Sequence, residues 1–99
     1  MKIERINYTP PSPSAKTLAE FADEHDLTLL MYHWPYSADK FACRFDTVSV
    51  FSAGNFLNIY GYGDNEAAAM CDYAKEISGK VLSQNYDATR LINVPTLTV

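Results

Sequence analysis

Two histidines and two cysteines, His25, His33, Cys43 and Cys71, are the residues from which a metal site or an activated thiol would have to be built. Zinc sites draw ligands in close sequence pairs, and none of the spacings among these four is such a pair. No cysteine-protease signature surrounds either cysteine. Two pairs of carboxylates, Asp23 with Glu24 and Asp64 with Glu66, are of the type used in acid–base catalysis. Both fall where solvated helix residues and helix caps belong. Gly61-Tyr62-Gly63 precedes a helical pattern, as a phosphate loop would. It lacks the third glycine, the lysine and the surrounding βαβ unit, and Asp64 would oppose an anion. The expectation is a chain without catalytic residues, metal or cofactor.

The elements around these residues follow from periodicity. Residues 55–80 organise the chain: an alternating half, a Gly61-Tyr62-Gly63-Asp64 corner, then helical spacing with an acidic start. In this helix Asp64 is the expected N-cap, with Glu66 in the first turn. Ala67, Met70, Cys71, Ala74 and Ile77 form its packing face, and Gly79 stops it. An earlier helix is expected over 15–24, capped by Ser12 or Ser14, with Leu18, Phe21, Ala22 and His25 on one side. Asp26 closes it in the left-handed conformation. Three strands are expected between the helices, over 27–34, 41–51 and 56–62. Phe41, Cys43 and Phe45 point inward in the second, Leu57 and Ile59 in the third. Tight connections make this an antiparallel meander. The order requires an α+β fold, α-β-β-β-α, with both helices on one face of a three-stranded sheet. Residues 1–14 read as an arm with a proline-rich connection, 15–80 as the core, and 81–99 as a hairpin or added strands.

Ninety-nine residues make one domain. With 47% hydrophobic and 20% charged residues the composition is that of a folded globule. Twelve acids against eight bases give a formal charge of −4, the wrong sign for a general nucleic-acid binder. Nothing near Met1 reads as a signal peptide, and no stretch reaches the ~20 apolar residues of a membrane span. The cysteines read as buried free thiols of a cytoplasmic protein.

Two resemblances follow from particular residues. Glu24-His25-Asp26-Leu27, Gly61-Tyr62-Gly63 and Glu66-Ala67-Ala68-Ala69, together with the element order over 18–77, resemble the double-stranded RNA-binding domain. That family presents lysines at the start of its second helix. Here the turn is Asp64-Asn65-Glu66, so the resemblance implies the architecture without the RNA chemistry. Residues 41–45, the Gly61–Asp64 corner and the run 72–80 are similar to small accessory proteins of tailed bacteriophages. That similarity implies action in the host bacterial cytoplasm, by binding a bacterial or phage protein, with anti-defence and anti-CRISPR inhibition among the roles of such proteins.

The surfaces expected to meet a partner are the acidic residues Glu20, Asp23, Glu24, Asp64 and Glu66 and the aromatic residues Trp34, Tyr36, Tyr60 and Tyr62. The acids would face a basic channel as a partial mimic of phosphates. The aromatics, with Tyr32, would lie on the sheet face opposite the helices, open to a partner, covered by the tail, or used in a homodimer. Duplex binding through Lys16, Lys40 and Arg44 is the alternative function, and self-association as a structural protein the third.

Overall fold

The computed structural model describes residues 16–36 and 38–99. The expected arm and its caps Ser12 and Ser14 lie outside them. The described chain is an α+β fold of two helices and mostly antiparallel strands. In order the elements are β1 (Lys16–Thr17), α1 (Leu18–Glu24), β2 (Leu29–His33), β3 (Phe41–Phe45), β4 (Val48–Ser52) and β5 (Asn55–Leu57). Then come β6 (Gly61–Gly63), α2 (Glu66–Ile77), β7 (Val81–Gln84), β8 (Leu91–Asn93) and β9 (Leu97–Thr98). Strands β2-β3-β6 form one sheet and β5-β4-β7-β8 a second. β1 pairs in parallel with β9. No helix among the described residues is long and apolar enough to cross a membrane.

Helix α1 begins three residues later than its periodicity suggests, because Lys16 and Thr17 are drawn into pairing with Leu97 and Thr98. Thr17 is the N-cap, and its Oγ1 accepts the Glu20 N–H at 3.1 Å. Asp26 takes the expected left-handed conformation, φ 53°, at the helix end. Helix α2 is capped by Asn65, whose Oδ1 accepts the Ala68 N–H at 2.8 Å, and not by Asp64. Gly79, φ 73°, ends the turn after it.

The expected strand over 41–51 is broken at Asp46-Thr47. Cys43 pairs with Gly61, and Val50 with Leu57, so seven steps on one side match four on the other. The odd excess reverses the alternation of faces. Phe41, Cys43 and Phe45 therefore share the core side with Val48 and Val50, which an unbroken strand would have turned outward. Thr47 takes φ 59° at the break. The break is tied twice from one side: Asp46 N–H donates to the Thr28 carbonyl just before β2, and Asn85 N–H just after β7 to the Thr47 carbonyl, both at 2.8 Å. β2 and β7 thus lie end to end along one side of the β3–β4 ribbon. Ala53 and Gly54, both left-handed, close the β4–β5 hairpin. The tail extends the second sheet through β7 and β8 and does not cross the first.

The core lies between β3, β4, β7 and both helices. Phe45 meets Phe21 of α1 at 6.1 Å and Tyr73 of α2 at 5.3 Å between ring centres, placing both helices on its side of the sheet. Three residues expected inside are outside: Leu57 is 46% exposed, and Ala67 and Cys71 lie on the solvent side of α2. Tyr73 occupies the buried position instead.

Gly61 and Gly63 let α2 rest on the backbone of β6. A Cβ on Gly61 would overlap the Ala69 carbonyl and the Tyr73 backbone, and one on Gly63 the Ala68 and Ala69 backbone. Gly61→Ala should therefore lower the unfolding free energy by about 3 kcal/mol or more, as overpacking against immovable backbone does. Gly54→Ala, in open space but at φ 79°, should cost only about 1–2 kcal/mol of backbone strain. Urea denaturation of the two variants checks the contrast.

Candidate interaction face

The face of β2-β3-β6 turned away from the helices carries an aromatic cluster. Alternation puts Leu30 and Tyr32 on it from β2, Ala42 and Arg44 from β3, and Tyr62 from β6. Trp34 and Tyr60 join from the strand ends. Tyr32 stacks on Trp34 at 5.6 Å with planes 17° apart, and its other neighbour Tyr60 lies edge-on at 6.1 Å. Tyr60 in turn meets Tyr62 at 6.0 Å. Ala42, paired to Tyr32 on one side and Tyr62 on the other, is buried between them. Trp34 and Tyr62 remain 44% and 45% exposed. No described segment lies over this row.

Arg44 sets the electrostatics of the face. Its guanidinium carbon lies 5.6 Å from the centre of the Tyr60 ring, within cation–π range. Its Nε is buried without a hydrogen-bond partner, and no carboxylate pairs with it among the described residues. The Tyr62 end is fixed from the far side of the sheet edge, where Asp72 of α2 accepts the Tyr62 N–H at 2.9 Å.

The residues singled out from sequence separate into groups. Trp34, Tyr60 and Tyr62 come together in the cluster. Tyr36 stands fully exposed in the β2–β3 turn, apart from the stacked rings. Glu20, Asp23 and Glu24 are on α1, on the opposite side of the sheet. Glu24 is bound by Lys16, and Glu20 accepts from the Thr17 hydroxyl. Asp23 borders an open concavity beside Leu27, Leu29 and Met70. Asp64 and Glu66 are exposed at the start of α2. Arg44 is the member of the face that the spacing of aromatics did not announce, although its outward position was readable from the alternation with Cys43 and Phe45. A second ring cluster, Phe51, Phe56 and Tyr86, was also missed, since Tyr86 reaches it only through the β7–β8 turn.

The thiols and histidines are dispersed. Cys43 is buried under α2, and its pKa is pushed up to about 11 by loss of water and by the nearby Asp72 charge, against the Gly61 backbone hydrogen bond. It is a protonated thiol at neutral pH, not a nucleophile. Among the described residues no group of three His, Cys, Asp or Glu is placed to hold a metal ion. Comparison of the chain with protein-family models, with curated proteins and with solved structures found no match.

Tyr73 is the other perturbed group of the core. Burial raises its pKa to about 12, against the Phe45 N–H bond to its hydroxyl. For both groups the folded protein holds the proton more tightly than the unfolded chain. Their stabilising effect is therefore complete below their ordinary values of 9.0 and 10.0 and is lost as pH rises through the folded values. Unfolding free energy should fall steadily from about pH 9 upward. Cys43→Ala should delay the start of that fall by about one pH unit. Tyr73→Phe, which leaves the buried Phe45 N–H unpaired, should cost about 1–3 kcal/mol at neutral pH.

Proposed function

We propose that this chain is a non-enzymatic, acidic protein-binding module, and that its binding surface is the aromatic face of β2-β3-β6. The observation that carries the reading is the row Trp34, Tyr32, Tyr60 and Tyr62 with Arg44 among them, rigidly backed by a packed sheet and uncovered by any described segment. Rigid Tyr and Trp with an arginine form the composition of binding hot spots. An acidic side chain of the partner would supply the carboxylate that Arg44 lacks among the described residues.

The partner is proposed to be a bacterial host protein met in the cytoplasm, with this chain a phage-encoded accessory factor that inhibits or redirects it, in the anti-defence class. The motifs similar to phage accessory proteins support this. The acids of α1 and of the α2 start are a second, weaker contact surface, since Glu24 is neutralised by Lys16.

The element order resembling the double-stranded RNA-binding domain is proposed as architecture alone. Asp64 and Glu66 stand at the start of α2, and Lys16 is occupied by Glu24 on the other side of the sheet from Arg44. Three cations are thus not gathered on one surface for a duplex.

Affinity capture from nuclease-treated bacterial lysate, read by mass spectrometry, tests the reading. One stoichiometric host protein is expected with the wild type. Tyr60→Ala combined with Trp34→Ala should weaken capture by about 2 kcal/mol or more, some thirtyfold, while leaving the fold intact. Reversing the charges of Glu20 and Asp23 should change affinity less than tenfold, because rim charges act mainly on encounter. Salt-dependent binding to duplex RNA with no protein captured would overturn the proposal.

A further inference from the structure

Among the described residues strand β2 is an open sheet edge, and its hydrogen-bonding groups have a definite polarity. Asp46 N–H bonds to the Thr28 carbonyl and Trp34 N–H to the Lys40 carbonyl, at 2.8 and 2.7 Å. In an antiparallel pair the bonded positions alternate, so Leu30 and Tyr32 also turn their backbone groups toward β3. Leu29, Met31 and His33 turn theirs outward, and no described group pairs with them.

Natural sheets guard such edges with charge, proline, bulges or extreme shortness. The other edges among the described residues are shorter: β5, β6 and β8 have three residues each, and β1 and β9 two. In β6, Asp72 accepts the Tyr62 N–H. β8 is followed at once by Val94, bound to Lys80, and by Pro95. β2 is five residues long and regular, with no proline within it. No charged side chain occurs between Asp26 and Asp39. Two chains of charge −4 therefore have in β2 a border along which they meet without opposing like charges.

We propose that β2 pairs antiparallel with β2 of a second copy, about a two-fold axis at Met31, giving a continuous six-stranded sheet. The outward groups are symmetric about Met31, as an isologous contact requires. Met31 faces Met31 of the second copy, and Leu29 faces its His33. Every outward N–H and C=O of the strand is then bonded, two bonds at the central pair and two at each flanking pair. Leu30 falls opposite Tyr32 of the second copy on the aromatic face. The two rows of stacked rings join into one surface.

Sedimentation equilibrium of the full chain over a concentration series, with amide hydrogen exchange on the same samples, tests this. The expected mass is twice the 11.1 kDa chain. The Leu29, Met31 and His33 amides should gain protection as concentration rises. Met31→Pro removes the central donor at an edge position that tolerates proline. His33→Lys places a charge on the border at the exposed end of the strand, where it removes only the ring stacked on Phe41, and keeps the test valid where the proline variant misfolds. Each substitution should weaken association at least tenfold. A monomer at every concentration would overturn the proposal. So would protection of the three amides that is independent of concentration, which would mean that the edge is filled within the chain, residues 1–15 included. A dimer unaffected by both substitutions would place the interface elsewhere.

Discussion

The close approach of α2 to β6 is the constraint on which the rest depends. With no Cβ at Gly61 or Gly63, the helix backbone lies directly on the strand, and Tyr73 is carried deep enough to reach across it. Its hydroxyl accepts the Phe45 N–H at 3.0 Å. That N–H points toward the β6 side, where pairing has ended beyond Gly61, so no strand carbonyl is there to take it. A side chain from the helix replaces the missing ladder partner and satisfies a buried donor. Packing and hydrogen bonding are thus closed by the same residue.

The break at Asp46-Thr47 follows the same logic of closure. It splits one long hairpin into two sheets and turns Val48 and Val50 to the side already occupied by Phe45. A straight ribbon would have spread its apolar side chains over both faces, too few on each for a chain of this size to bury. The cost is a β-branched residue at φ 59°, about 1–3 kcal/mol, offset by the hydrogen bonds to Thr28 and Asn85.

These two features divide the surface. The helices occupy one side of the first sheet and hold most of the acids named from the sequence. The tail, having joined β4, leaves the other side to Tyr32, Trp34, Tyr60, Tyr62 and Arg44. Charge and aromatic area are therefore presented in different directions, and the arginine lies with the rings and away from the carboxylates. A partner that met the acids alone would use a surface already partly neutralised by Lys16.

The two helices and the strand-forming stretches between them were legible because periodicity of 3.6 and 2 is a local property, as was the left-handed Asp26 after α1, but those stretches form five strands in two sheets and not the expected three in one. The outward placement of Tyr60 and Tyr62 was legible for the same reason. The reversal of faces at Asp46-Thr47 was not, since neither residue is a glycine or proline and the bulge is imposed by Thr28 and Asn85 from distant strands. The start of α1 was decided by Leu97 and Thr98, about eighty residues away. Asn65 displaced Asp64 as cap because Gly63 is still held in the sheet by Phe41. The sequence by itself determined where the two helices and the strand-forming stretches lie, and which side of α1 and of β3 is apolar. Only the tertiary structure decided which of those sides meet, because register and parity between strands depend on hydrogen bonds whose partners are remote in the chain.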